Sequence, residues 1–485
     1  MRTPPRQRHR QRHLALFVIT AAGLWVGGCA GMKPGMGFDD VQRCVSERTG
    51  QKVHWDNGSP EDEEARAAVR GLLASELSAD GAVQIALLNN RNLQAVYEDL
   101  NLAQADLVQA GLLKNPVLSG EVRFATAGGG TDVVLDLSQD FVSLLSMPLR
   151  KGRAQAQFEA AKVRVTGAVL DLASETRVAY NELQAAEQRR ELRGTVAEGM
   201  AASYEFAKRL RAAGNTRELD LFNERARYEQ SKLDLAASEA DVVQLRETMN
   251  ELMGLWGDSV GWRIAGRLPP IPADEIPSEG LEARAVERSG DLELARREVE
   301  VAARTLGIAK PFALLQELNT GVASERDFDG SWSVGPSWSL PIPLFDQGQG
   351  EIGTANARLR QAAQHYYATA VALRARVRAA HAAVLSARDR ALYVEKVMLP
   401  LREKIVDESQ LHYNAMQVSA FQLLQAKRDQ VEGGVLYVES LRGYWLARAK
   451  LELILSGRMP PMSQPTRDSN MNTGASSGNS RAGGH

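Results

Sequence analysis

The sequence is poor in the residues from which most enzyme sites and metal centres are built. Its 485 residues include two cysteines and seven histidines. Two cysteines make neither a disulfide framework nor a four-thiolate metal site, and the histidines form no HExxH pair and no Cys-His cluster. An excess of one charge is lacking too, with 58 Lys and Arg against 60 Asp and Glu. That balance gives no sign of a nucleic-acid binder or of an acidic solvating chain. The expectation is a non-enzyme with no nucleic-acid partner, no cofactor and no metal site. A hydrophobic content of 44% excludes wholesale disorder. Proline is missing from long stretches: none lies between Pro148 and Pro269, between Pro343 and Pro400, or from 401 to 459.

Each proline-free gap predicts long helices, since an interior proline removes a helical hydrogen bond and crowds the preceding turn. The gaps are rich in Ala, Arg, Glu, Leu and Gln, all good helix formers. Apolar residues recur at three and four, as in Leu233, Ala236, Ala240, Val243 and in Val431, Val435, Val438, Leu441, Trp445. This is a coiled-coil seam whose small residues allow close approach. A helix from about Ala154 to Ala213 would be roughly 90 Å long at 1.5 Å per residue. A rod-like coiled coil would account for such helices equally well, so they do not decide function.

At the N-terminus, Arg2, Arg6, Arg8, Arg10 and Arg12 precede an uncharged apolar stretch from Leu14 to Val26. That is the layout of a secretory signal, too short to span a bilayer comfortably. Val26-Gly27-Gly28-Cys29 resembles the bacterial lipobox, which implies removal of residues 1–28 and acylation of Cys29. Ala30 after the cysteine implies sorting to the outer membrane. Cys44 is read as a free small residue. Residues 29–76 form an N-terminal periplasmic segment, and the Ser-, Asn- and Gly-rich tail 460–485 is predicted to be disordered.

The chain repeats itself at an offset of about 200 residues. Asn92-Leu93 with Leu100, Leu102, Ala103, Leu107 and Ala110 lines up with Asp291-Leu292 with Val299, Val301, Ala302, Leu306 and Ala309. Ala213-Gly214-Asn215-Thr216 matches Ala415-Met416-Gln417-Val418. The copies span 77–268 and 281–459, with a proline-rich linker at 269–280, and each reads as helix, β-hairpin, very long helix, tight turn, helix. The hairpins are Val117 to Ala125 with Thr131 to Leu137, around Ala127-Gly128-Gly129-Gly130, and Asn319 to Glu325 with Ser331 to Leu340, around Asp327 to Gly330. Trp332, Val334, Pro336, Trp338 and Leu340 alternate with Ser333, Gly335, Ser337 and Ser339. Such alternation reads as a transmembrane β-strand whose Trp332, Val334 and Trp338 face lipid, or as a soluble strand packed on a core. A sheet in lipid cannot leave an edge, and four strands are too few to enclose a lumen. Membrane hairpins would therefore have to be pooled, three chains supplying twelve strands.

With these features the sequence resembles the TolC-like outer membrane efflux protein family, in its lipoprotein form, over roughly Leu77 to Gly457. Particular matches are Ala82 to Asn90, Gly111 to Pro116, Leu340 to Asp346, and Leu423-Leu424-Gln425-Ala426. The resemblance implies a mainly α fold with a small β part: a homotrimer with a shared 12-stranded barrel in the outer membrane and a coiled-coil tunnel in the periplasm. It implies a passive exit duct partnered by a periplasmic adaptor (membrane fusion) protein and an RND-type inner-membrane pump. Gly214, Asn215 and Thr216, with Met416, Gln417, Val418 and Ser419, would meet the adaptor. Gln422 and Gln425 stand where selective members carry acids, and Asp220 and Asn223 are their first-copy counterparts. At most one carboxylate ring is expected, from Asp220, unless that residue is merely solvated. Tyr413 either bonds across closed turns or packs in the core. The segment Val41 to Gly50 with Val53-His54-Trp55 is similar to N-terminal segments of heavy-metal-efflux members, implying metal cations as cargo.

Other motifs carry less. Gly348-Gln349-Gly350-Glu351-Ile352-Gly353 fits GxGxxG but lacks a βαβ setting and is read as a strand-to-helix transition. Ser59-Pro60 before Glu61 to Glu64 reads as a capped helix start. His54, His365, His381 and His412 are read as isolated. A periplasmic adaptor lipoprotein would have one helical hairpin between β-rich domains, and a coiled-coil envelope scaffold would need neither the lipobox nor the hairpins.

Overall fold

The computed structural model describes residues 31–126, 130–315 and 317–460. The signal segment, Cys29, most of the glycine-rich hairpin turn and nearly all of the tail lie outside the described residues. The first part comprises α1 (Phe38–Thr49), α2 (Pro60–Leu73), β1 (Glu76–Leu77), α3 (Ala79–Asn89), α4 (Arg91–Ala110), β2 (Val117–Phe124), β3 (Thr131–Asp140), α5 (Phe141–Ala212), α6 (Glu218–Met253) and β4 (Arg263–Ile264). The second comprises α7 (Leu281–Arg288), α8 (Gly290–Phe312), β5 (Asn319–Arg326), β6 (Trp332–Ser339), α9 (Gln349–Tyr393), a π-turn at Val394–Met398, α10 (Leu399–Asn414) and α11 (Ala420–Leu455).

The duplication extends to the helix caps. Asn90 and Ser289 both have extended backbone, and each side-chain oxygen accepts the N–H three residues on, from Leu93 at 2.9 Å and from Leu292 at 3.1 Å. Each bond satisfies a donor that the first helical turn would otherwise leave unpaired, a contribution of about 1 kcal/mol.

Two prolines expected to bound helices lie inside them. α5 begins at Phe141 rather than near Ala154 and runs through Pro148. A proline there forfeits one backbone bond near a helix start, and side chains serve the carbonyls around it: that of Ser143 accepts from Arg150 at 3.0 Å. Pro400 also sits in continuous helix, directly after the π-turn, where the regular ladder of bonds is already broken. The Ser59 cap is absent as well: its side chain bonds no N–H of the α2 turn. Asp62 instead accepts from the Gly58 N–H and contacts His54, both at 2.6 Å, so His54 is not isolated. His381 and His412 likewise have partners, the Ile276 carbonyl at 3.2 Å and the Gln417 side chain at 2.5 Å.

The long helices lie side by side. Towards the strands the order is α4, α5, α8, α9; towards the turns it is α6, α5, α11, then α9 and α10. One core cluster gathers Leu77, Ile85, Tyr180, Leu183, Met249 and Trp262. There Tyr180 donates to the Leu77 carbonyl at 2.7 Å, and β1 pairs in parallel with β4. A second joins Val41, Val45, Trp55 and Tyr97 to Val165 and Val169 of α5. Segment 269–280 is strapped to the helices, with the Pro269 carbonyl accepting from Trp445 at 2.9 Å and that of Ala273 from Arg388 at 2.6 Å. Past the end of α11, Arg458 binds Asp171 of α5 at 2.8 Å and also Asp291 of α8, joining the two copies.

Candidate functional site: a concave sheet and two helical turns

The strands form one antiparallel sheet in the order β2-β3-β5-β6. Because side chains alternate, register assigns every residue a face. Leu118, Val122 and Phe124 stand opposite Leu137, Val133 and Thr131; Leu137 and Leu135 stand opposite Val322 and Ser324; and Ser324 and Thr320 stand opposite Val334 and Trp338. These residues share one largely apolar face, which ends at Trp332. The other face holds Ser119, Glu121, Arg123, Asp132, Asp136, Glu325, Ser333 and Ser337. The apolar face is uncovered, with Phe124 76% and Trp338 75% exposed. A contiguous apolar surface of this kind requires lipid or a partner.

The polar face is concave. Ser337 of β6 donates its hydroxyl to Asp136 of β3, although β5 lies between the two strands. The bond passes over Gly321, where a Cβ would come within 2.8 Å of the Ser138 Cα and 2.9 Å of the Ser337 Oγ. Side chains two strands apart can meet only if the sheet curls towards them, and the missing side chain at 321 makes room for that curl. β2 and β6 each leave one edge unpaired.

At the far end, α5 and α6 join through Gly214, Asn215 and Thr216, and α10 and α11 through Met416, Gln417, Val418 and Ser419. Gly214 and Met416 both have positive φ. The turns are neighbours, since Phe206 of α5 and Phe421 of α11 place their rings 5.8 Å apart. Asp220 faces Arg217 at 3.1 Å, and that guanidinium holds its carboxyl below the usual aspartate range. Gln422 completes a reciprocal capping box with Ser419, and Gln425 donates to Asp429 at 2.7 Å. Asn223 is exposed. Asp220 and Tyr413 lie on α6 and α10, at opposite sides of the array, so they do not meet within one chain. The Tyr413 side chain is 39% exposed and belongs to no core cluster among the described residues.

Both outer helices expose apolar side chains that meet no other element among the described residues. Leu219, Phe222, Leu233 and Val243 are exposed along α6, and Tyr393, Val397, Leu401 and Ile405 form a ridge at intervals of four at the other side. Asp136 and Gly321 were not singled out from sequence, and Ser337 was named only as part of the β6 alternation; the alternation of β3 contains the signal for Asp136, but its partner is 201 residues away. Among the described residues no helix is long and apolar enough to cross a membrane, and no group of three or more His, Cys, Asp or Glu could hold a metal ion.

This arrangement recurs in solved structures. That of the Campylobacter jejuni CmeC outer membrane channel superposes with a TM-score of 0.67 at 17% identity, over 79% of this chain and 87% of its own. The chain has the TolC-like outer membrane channel fold. CusC, whose structural description refers to transmembrane channel formation, shares this fold with a TM-score of 0.64 at 17% identity, over 78% of this chain and 91% of its own. In sequence, the cobalt-zinc-cadmium resistance protein CzcC of Cupriavidus metallidurans is 22% identical over 396 residues, which is 79% of this chain and 90% of CzcC. No protein-family model matches the sequence.

Proposed function

We propose that this TolC-like chain is the outer membrane exit duct of a tripartite efflux system, working as a homotrimer. The carrying observation is that, among the described residues, one chain leaves four open borders: two unpaired strand edges and two outer helices with exposed apolar side chains. An open strand edge in lipid is costly, and exposed apolar ridges need partners. Copies placed edge to edge meet both needs at once, and three of them give a barrel of twelve strands with an aqueous lumen. The concave polar face then lines the lumen, and Trp332, Val334 and Trp338 meet outer-membrane lipid.

In this reading Cys29 carries the lipid anchor, the helices extend into the periplasm, and the turns at Gly214 to Thr216 and Met416 to Ser419 meet a periplasmic adaptor below which an RND-type pump docks. Metal cations are the proposed cargo, supported by the relation to a cobalt-zinc-cadmium resistance protein. The duct conducts passively. Asp220 is proposed as a solvated, locally paired residue rather than a gate, supported by its contact with Arg217. The test is the outer-membrane fraction of cells making the full chain: heat-modifiable trimer bands and conductance in planar bilayers are expected, and a monomer without conductance overturns the reading.

A further inference from the structure

Building on the exit-duct reading, we propose that the concave face of the sheet makes the barrel cation-preferring, with Asp132 and Asp136 setting that preference. Within the strands this face bears Glu121, Asp132, Asp136 and Glu325 against a single base, Arg123. Asp140, at the end of β3, is offset by Lys114 at 2.8 Å. Arg123 is already engaged by both oxygens of Glu121, at 2.9 and 3.0 Å, and reaches Asp132 only at 3.5 Å.

The acids are incompletely satisfied. Asp132 is 4% exposed and among the described residues its Oδ1 has no hydrogen-bond partner, so it contributes charge from behind the face and is not an exposed ligand. Asp136 receives a neutral hydroxyl from Ser337 and, among the described residues, no cation. Copies arranged around one lumen multiply this surplus, and a wall that is apolar outside focuses the field within. The groups are carboxylates and hydroxyls with no imidazole or thiolate among them, so they suit hydrated cations held loosely enough to leave. The entrance acid differs, because Arg217 neutralises Asp220 locally.

The test is the reversal potential of the full-length channel in planar bilayers under a potassium chloride gradient. The wild type is expected to favour potassium over chloride, and Asp132→Asn with Asp136→Asn to lower the permeability ratio by roughly threefold or more, with trimer bands intact. Asn at 136 can still accept the Ser337 hydroxyl. Asp220→Asn is expected to leave the ratio unchanged, and Ser333→Asp, on the same concave face, to raise it. A double variant with the wild-type ratio, or no rise with Ser333→Asp, overturns the inference while leaving the exit-duct reading intact. Monomers without conductance defeat that reading and this inference with it.

Discussion

Gly214 and Met416 hold the same left-handed backbone position at the two helix turns, with φ of 75° and 57°. Each is followed by an N–H that returns 2.9 Å to a carbonyl five residues back, from Asn215 to Leu210 and from Gln417 to His412. This 6→1 bond closes the helix end and demands positive φ at the residue between. Glycine adopts it freely, whereas a Cβ there costs about 1–2 kcal/mol. Met416→Gly is therefore expected to stabilise its turn by about 1 kcal/mol. Hydrogen exchange at the Gln417 amide should slow about fivefold, and no slowing would contradict the strain. Met416 is 94% exposed, so adaptor binding by the same variant reports whether the side chain is itself a contact.

Ser419 and Gln422 cap α11 reciprocally: the Gln422 N–H reaches the Ser419 hydroxyl at 3.3 Å, and the Gln422 amide oxygen accepts the Ser419 N–H at 2.8 Å. Ser419→Ala is expected to cost about 1 kcal/mol, visible as faster exchange in the first turn of α11. Gln422→Glu keeps the reciprocal bond and should leave that turn protected. Fraying in both variants would refute the assignment.

Gly321 and Gly335 both lie on the concave face, on neighbouring strands but not opposite each other. A Cβ at 321 meets the Leu137 carbonyl and Ser138, whereas one at 335 meets nothing within 4 Å. Gly321→Ala is expected to disturb the β3–β5 pairing at a cost of about 1–3 kcal/mol and to weaken heat-resistant trimers. Gly335→Ala should be tolerated. Equal behaviour of the two would show that the curl over Gly321 is unimportant.

Burial tends to raise the Asp62 carboxyl, but hydrogen bonds from His54 and the Gly58 N–H outweigh it, and the group lies below its ordinary value of 3.8. A depressed carboxyl contributes stability that is present above the unfolded value and lost as pH falls through the folded one. Asp62→Asn should therefore loosen the segment around α1 and α2 at neutral pH, with faster proteolysis near Trp55. The difference from wild type should shrink as pH falls below about 4. A pH-independent difference would exclude a charge-based contact.

What could be read from sequence was local. The glycine turn at 214 and the alternation from Trp332 to Trp338 each depend on residues a few positions apart, whereas the caps at Asn90 and Ser289 were not read and the one that was, at Ser59, is absent. Pro148 and Pro400 misled because a proline removes one bond, and a nearby Arg150 or a π-turn can absorb that loss. His54 looked isolated because its partner, Asp62, was assigned to a helix start. The concavity was illegible, since it depends on Asp136 and Ser337 meeting over Gly321. The pairing of Asp220 with Arg217 spans three residues and was legible in principle.

Asp140 ends β3 and Phe141 begins α5, so no residue separates strand from helix. That helix then continues for 72 residues, about 110 Å at 1.5 Å per residue. The opposite limb is jointed: residues 340–348 intervene between β6 and α9, and the π-turn at Val394–Met398 interrupts the run towards Asn414. The two limbs of one molecule thus differ in continuity, one a single helix from sheet to turn and the other interrupted twice. The unbroken limb is expected to carry a twist between Ala212 and Asp140 further than its jointed counterpart does.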